Sequence, residues 1–226
     1  MKSRDFKDAV YEQLARVASA FGSPKRVEMI EILAQGERNV ESLAHGTDQS
    51  VANASRHLQV LRGVGLVASR KVGLQVFYRL SGPEVMEGYQ VLRQVAEARV
   101  AELGRVAREY FDSADGLVPM AREELLERVR TGDVIILDVR PTLEYRSGHI
   151  AGAISIPVEE LEKQLASLPP DREVVAYCRG PYCVLAAEAV RLLREKGHKA
   201  VRLADGYPEW KSAGLAVQTS AQEGMV

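Results

Sequence analysis

Cys178 and Cys183 lie five positions apart in the run Cys178-Arg179-Gly180-Pro181-Tyr182-Cys183, and they are the only two cysteines of this 226-residue chain. Thiolate sulfur is the nucleophile and the carrier of further sulfur atoms. A free cysteine titrates at about 8.5, falling to about 3.5–7.5 beside a cation or a helix N-terminus. Arg179 supplies a cation next to Cys178. The apolar run Val174-Val175-Ala176-Tyr177 enters the loop and the helical pattern Val184-Leu185-Ala186-Ala187-Glu188-Ala189-Val190 leaves it. Such a strand–loop–helix unit aims backbone N–H groups and a helix dipole at the loop, and the same groups would stabilise a persulfide anion. Gly180 permits the backbone angles of a tight curl, and Pro181 and Tyr182 complete the loop. Cys183 is open to two readings. It could attack a persulfide on Cys178 to give a disulfide or polysulfide bridge, since a disulfide needs Cα atoms about 4.4–6.8 Å apart. It could equally be a small apolar residue that starts the helix, which is expected near Tyr182.

The rest of the chain must position this loop. Residues 5–21 carry Phe6, Val10, Leu14, Val17 and Phe21 at helical spacing. Ser23-Pro24 starts a second helix that stops at Gly36. A short helix at 40–44, a turn at 46–48 with an N-cap candidate, and a longer helix from about 49 to 62 follow. Runs at 66–71 and 75–80 read as a hairpin. Pro83 then opens a helix to about 111, striped by Met86, Tyr89, Leu92, Ala96, Val100, Leu103, Val106 and Tyr110. Beyond residue 116 the pattern changes to strands near 134–137, 153–156, 174–177 and 200–203, with helices near 120–130, 158–166, 182–196 and 208–213 between them. That alternation predicts a parallel sheet covered on both faces. The expected division is residues 1–111, a linker at 112–116, and residues 117–226.

An apolar content of 46% suffices for cores. No run approaches the roughly 18 apolar residues of a membrane span, and residues 1–8 lack the apolar centre of a secretory signal. A cytoplasmic protein with no membrane partner is expected. Residues 1–111 hold 16 Lys and Arg against 13 Asp and Glu, and residues 112–226 hold 14 against 18. Residues 49–83 contain no carboxylate but carry Arg56, Arg62, Arg70, Lys71 and Arg79. In a chain 27% charged, this is an electrostatic footprint for a polyanion.

Two short helices, a turn, a longer helix and a basic hairpin make a winged helix-turn-helix, whose second motif helix enters the major groove of double-stranded DNA. Candidate DNA contacts on that helix are Gln49, Ser50, Asn53, Ser55, Arg56, His57 and Gln59. Asn, Gln and Arg can pair with base edges. On the wing, Arg70, Lys71 and Gln75 are candidates for phosphate or the minor groove. The phrase Ser55-Arg56-His57-Leu58-Gln59-Val60-Leu61-Arg62-Gly63-Val64-Gly65-Leu66-Val67 resembles the arsenical-resistance-repressor (ArsR) family of bacterial regulators. The resemblance implies a homodimer, through the helices at 5–21 and 83–111, that represses at an operator until an inducer binds. Metal-sensing members use Cys in the first motif helix, or His and carboxylates on the terminal helix. Residues 40–44 hold no Cys and residues 83–111 hold no His, and without His the carboxylates Glu84, Glu87, Glu97 and Glu102 are expected to be solvated, so no metal and no cofactor is expected here.

Leu137-Asp138-Val139-Arg140, Glu144-Tyr145-Arg146-Ser147-Gly148-His149-Ile150-Ala151-Gly152-Ala153-Ile154, the 178–183 loop and Asp205-Gly206-Tyr207-Pro208-Glu209-Trp210 resemble the rhodanese domain, in the right order. That resemblance implies an α/β domain carrying sulfane sulfur on Cys178. Many rhodaneses end the loop with Arg or Thr, where this chain has Cys183. Asp138, His149 and Trp210 are expected to be structural, and Arg140 is a candidate for orienting the loop. The fold class expected is multidomain: a mainly α winged helix-turn-helix followed by an α/β rhodanese domain with a parallel sheet. The function expected is a transcription regulator that senses or carries reactive sulfur. The alternative is a sulfurtransferase with the winged helix as tether, and a soft metal on the cysteine pair is a third possibility.

Overall fold

The computed structural model describes residues 2–114 and 118–219, in two compact units, Met1–Leu92 and Arg93–Val226. In the first unit, α1 (Ser3–Phe21) and α2 (Pro24–Ala34) precede a short strand β1 (Arg38–Asn39). Then come α3 (Val40–Gly46), α4 (Val51–Gly63), β2 (Val67–Val72), β3 (Gln75–Leu80) and α5 (Pro83–Arg99), which runs on into the second unit. Ser23 and Pro24 take the N-cap and first-turn positions of α2, as their types require. Asn39 caps α3 by accepting from the Ser42 amide at 2.9 Å. Ser50, not the expected 46–48 turn, caps α4, accepting from the Asn53 amide at 3.3 Å. Thr47 is instead buried and donates its hydroxyl to the Leu43 carbonyl at 2.7 Å.

Apolar residues at helical spacing close this unit's core: Met29, Ile30 and Leu33 of α2, Leu43 of α3, Ala54, Leu58 and Leu61 of α4, and Val85, Met86 and Tyr89 of α5. The hairpin turns at Gly73, whose φ of 60° favours glycine. β1 adds to β3 with Arg38 opposite Tyr78. A two-residue strand is too short to show alternation, so the pattern did not reveal it. The stripe of α1 stays exposed at Phe6, Val10, Leu14 and Val17.

In the second unit, α6 (Ala101–Ala114) and α7 (Arg122–Thr131) lead to β4 (Val134–Asp138), α8 (Thr142–Ser147), β5 (His149–Ile150) and β6 (Ile154–Ser155). α9 (Val158–Gln164), β7 (Glu173–Tyr177), α10 (Val184–Glu195), β8 (Ala200–Arg202), α11 (Tyr207–Ser212) and β9 (Val217–Gln218) complete it. The sheet order is β6-β4-β7-β8, all parallel, with Ile136 opposite Val175 and Val175 opposite Val201. β5 and β9 form a separate antiparallel pair.

Alternate residues of β7 serve the two faces of the sheet. Val174 and Ala176 join the cluster containing Ala186, Ala189, Val190 and Leu193 of α10. Val175 and Tyr177 join Leu125 of α7 and Trp210 of α11. Cys178 falls in the parity of Val174 and Ala176 and is buried with them.

The helix expected to run unbroken from 83 to 111 is two helices, interrupted at Val100. Neither Gly nor Pro stands there, so the apolar period reads straight through the break. Met86 and Tyr89 of the expected stripe are core residues of the first unit, while Leu92, Val106 and Tyr110 remain exposed. Asp115 and Gly116 of the expected linker lie outside the described residues.

Candidate functional site

β7 delivers the chain to Cys178, and the loop 178–183 returns it to α10. The helix starts at Val184, with Cys183 rather than Tyr182 at its N-cap. Cys183 N donates to the Gly180 carbonyl at 3.1 Å, which closes the curl. The curl brings the Cα atoms of Cys178 and Cys183 to 6.0 Å, and the two sulfurs are joined as a disulfide. Cys178 is only 2% exposed, and Cys183 is half-buried.

Four contacts hold the loop from outside. Arg179, expected to lend its charge to Cys178, lies on Glu144 of α8: its Nη2 is 2.7 Å from Oε1 and its Nε 3.0 Å from Oε2. Glu144 is 2% exposed, so this buried carboxylate takes up much of the guanidinium's field. The Tyr207 amide donates to the Cys178 carbonyl at 3.1 Å. A Cβ on Gly206 would collide with the Arg179–Gly180 peptide, so glycine at 206 is what lets the 205–206 turn approach. Tyr182 reaches outward and donates its hydroxyl to Glu97 at 2.7 Å, while Pro181 is half-buried beside it.

Beneath the loop lies a buried polar group. Asp138 and Arg140, at the end of β4 and just beyond it, are both fully buried. Asp138 Oδ1 accepts from the Arg140 amide at 3.0 Å and from its Nε at 2.9 Å. Arg140 Nη2 donates to the Gly148 carbonyl at 2.9 Å, and the Tyr177 hydroxyl donates to Asp138. The Arg140 guanidinium also faces the rings of Tyr207 and Tyr177, at 4.6 and 5.3 Å. Burial alone would lower the Arg140 pKa, but the hydrogen bonds and charge of Asp138 outweigh it and hold it above its ordinary value. Burial, and then the Asp138 charge, push Tyr177 well above the usual phenol range. Asp138 thus links Arg140 to Tyr177, the residue that leads into Cys178.

His149 stacks on Tyr145 at 3.7 Å between ring centres, and its Nδ1 lies 2.9 Å from the Tyr145 carbonyl, which makes Nδ1 the donor. Trp210 Nε1 donates to the Ala216 carbonyl at 3.0 Å. Glu144, Glu209 and Arg93 have partners far off in sequence that no local pattern marks, while Glu97, expected to be solvated, is exposed but accepts from Tyr182 at 2.7 Å and lies 3.4 Å from Arg93 Nε. Glu144 and Glu209 at least fall inside the motif phrases.

On α4, Asn53, Arg56 and Gln59 are exposed on the side opposite the buried Ala54, Leu58 and Leu61. Ser55 and His57 are half-buried flanks. The Ser50 hydroxyl is occupied as the cap, and Gln49 is half-buried, its Nε2 donating to Thr47 Oγ1 at 3.2 Å. Lys71 and Gln75 stand exposed on the wing. Arg70 is exposed too, but it makes a two-point contact with Glu37, with Nε 2.8 Å from Oε1. Among the described residues no group of three or more His, Cys, Asp or Glu could hold a metal, and no helix is long and apolar enough to cross a membrane.

Residues 23–69 match the bacterial regulatory protein arsR family, and residues 121–213 match the rhodanese-like domain. The chain is 42% identical over 220 residues to the HTH-type transcriptional regulator Rv0324 of Mycobacterium tuberculosis, covering 97% of this chain and 96% of that protein. The chain belongs to the arsR family of transcriptional regulators. This arsR-family regulator is DNA-binding through a winged helix-turn-helix and carries a rhodanese domain at its C-terminal end. Its rhodanese part is 30% identical over 97 residues to a sulfurtransferase of Allochromatium vinosum, covering 42% of this chain and 89% of that protein. Its N-terminal part is similar to the solved winged helix-turn-helix DNA-binding domain, residues 1–100, of a possible ArsR-family regulator from Mycobacterium bovis. That likeness is 35% identical with a TM-score of 0.41, covering 44% of this chain and 91% of that one.

Proposed function

We propose that this regulator senses reactive sulfane sulfur through Cys178, with Cys183 as the resolving thiol, and that the modified loop changes how a homodimer holds its operator as a cytoplasmic repressor. The observation that carries the reading is the Cys178–Cys183 closure inside one six-residue loop, with a Cα separation of 6.0 Å, in a chain whose DNA-reading part has no cysteine. In the first step the Cys178 thiolate attacks an inorganic polysulfide and takes one sulfur, releasing a polysulfide shorter by one atom. In the second, the Cys183 thiolate attacks Cys178 Sγ and expels hydrosulfide, leaving the disulfide. The sulfane sulfur is reduced and the two thiols are oxidised, so no other oxidant is required.

The candidate DNA contacts are Asn53, Arg56 and Gln59 on α4 and Lys71 and Gln75 on the wing, with Gln49, Ser50, Ser55, His57 and Arg70 at the margins. The exposed stripe of α1 (Phe6, Val10, Leu14, Val17) and Leu92 of α5 suit burial against a second copy. The test is duplex binding by the full chain before and after inorganic polysulfide, with mass spectrometry of both cysteines on the same samples. A change in affinity that is lost in Cys178→Ser supports the reading. Unchanged affinity beside a verified modification sinks it.

A second reading, sulfurtransferase catalysis, is favoured by the likeness to the Allochromatium vinosum protein. It expects turnover of thiosulfate with cyanide that Cys178→Ser abolishes. A Cys178 that is 2% exposed and bridged to its neighbour favours a slow, stoichiometric role over rapid turnover.

A further inference from the structure

Within the second unit, the C-terminal half of α5 touches both sides of the sulfur loop's support. Tyr182, inside the loop, donates to Glu97 Oε1 at 2.7 Å. One turn earlier on α5, Arg93 places Nη1 2.6 Å from Glu209 Oε1 and Nε 3.4 Å from Glu97 Oε1. The other Glu209 oxygen, Oε2, accepts from the Gly206 amide at 3.1 Å. Gly206 is the residue whose backbone lies against the Arg179–Gly180 peptide. Arg93 and Glu209 are 12% and 8% exposed at their side chains, so their pair is shielded and directional, unlike a surface ion pair. The helix that ends in these contacts begins with Val85, Met86 and Tyr89, which are core residues of the DNA-reading unit.

We propose that Glu97 and Arg93 are positioning residues that couple the state of the Cys178–Cys183 pair to α5: Glu97 through the Tyr182 hydroxyl, Arg93 through Glu209 and the Gly206 turn. The proposal rests on the reading of this pair as the sensing site and names the route by which its chemistry leaves the loop. The described contacts belong to the disulfide-closed loop. Opening the bridge unties Cys183, at the N-cap of α10, from Cys178, and with it the constraint on Tyr182, the residue before it. The hydrogen bond to Glu97 then belongs to the closed state and favours it. By reciprocity, the factor by which the bridge changes the affinity of a ligand that acts through α5 is the factor by which that ligand changes the thiol–disulfide equilibrium.

The test uses the full chain equilibrated in glutathione buffers, with the disulfide fraction read by alkylation and mass spectrometry. Glu97→Ala is the variant of choice, since its site is on a helix surface and alanine is a good helix former. It is expected to lower the disulfide-forming constant at least about fivefold, the low end of typical coupling between sites. Glu97→Gln retains an acceptor for Tyr182 and is expected to restore part of the shift. A duplex selected by the full chain from a random-sequence pool is then added. It is expected to move the wild-type equilibrium, and to move that of Glu97→Ala less. A glutathione equilibrium for Glu97→Ala equal to wild type overturns the proposal, even where DNA still moves the wild-type pair and sulfur gating stands. A shifted equilibrium with no effect of DNA on the wild type supports the loop–helix coupling and removes the gating reading instead.

Discussion

The backbone of Gly206 lies so close to the Arg179–Gly180 peptide that a methyl group at 206 would overlap it. The neighbouring Tyr207 amide holds the Cys178 carbonyl at 3.1 Å, so the 205–207 turn forms one wall of the sulfur loop. Gly206→Ala is expected to cost about 1–3 kcal/mol, the usual range for overpacking. It should also speed alkylation of the reduced cysteines. Urea unfolding followed by Trp210 fluorescence reads the first effect, because this single tryptophan is buried in the rhodanese core. A stability and alkylation rate equal to wild type would show that the turn does not wall the loop.

Arg179 and Glu144 are unequal partners. Arg179 is 21% exposed at its side chain and Glu144 only 2%. Loss of Arg179 leaves the carboxylate in a dry site with the attraction of Arg140, whose cation senses it. Loss of the Glu144 charge leaves a guanidinium that can turn to water. Arg179→Ala is therefore expected to destabilise the rhodanese unit by about 2 kcal/mol, discounted for its solvent exposure from the roughly 3–5 of a fully buried pair. Glu144→Gln should cost less. The same Trp210 unfolding curves rank the two, and the reverse order would contradict this account of the burial.

Burial, and then the hydrogen bond to Glu97, push the Tyr182 phenol up to about 12. A phenol with a raised pKa in the folded chain contributes stability that is fully present below its ordinary value of 10.0 and is lost as pH rises toward 12. Tyr177, Tyr207 and Tyr110 are shifted in the same direction, chiefly by burial. Alkaline unfolding is thus expected to begin above pH 10, not near neutrality. In Glu97→Ala, Tyr182 should ionise earlier, visible as one phenolate appearing at lower pH in an absorbance titration. An identical titration would mean that Glu97 does not sense that hydroxyl.

On the wing, Glu37 holds Arg70 in a two-point contact, and that hydrogen bond keeps the Glu37 carboxyl below its ordinary pKa. The pair is therefore intact above pH 4.5 and opens only as pH falls through the lowered value. At neutral pH, Glu37→Gln is expected to release Arg70 toward phosphate. Duplex binding should tighten at low salt, and the slope of log affinity against log salt should steepen by about 0.9 for one added phosphate contact. Arg70→Ala in the native background should change the slope little, whereas Lys71→Ala, which removes an exposed wing cation, should flatten it by a similar amount. A salt titration of each variant checks all three.

Both halves of the molecule were legible from the chain alone. Pro24 behind Ser23, the breaks at Gly63 and Gly65, and the apolar runs at 134–137 and 174–177 act through local backbone preference and periodicity, which need no partner to be read. The phrases around Arg56, His149 and Cys178 and the ending at Trp210 placed the reader and the sulfur loop in order. What tertiary structure alone decided is who faces whom. Arg179 meets Glu144 across 35 positions, Tyr182 meets Glu97 across 85, and Arg93 meets Glu209 across 116. Cys178 is buried because it continues the inward parity of β7, and the long helix breaks at Val100 with no residue to mark it. Pairings of this kind leave no period in the sequence. They form only when distant elements are brought together by the fold, and where the space between them is dry, as at Glu144 and Glu209, a charge must find its partner.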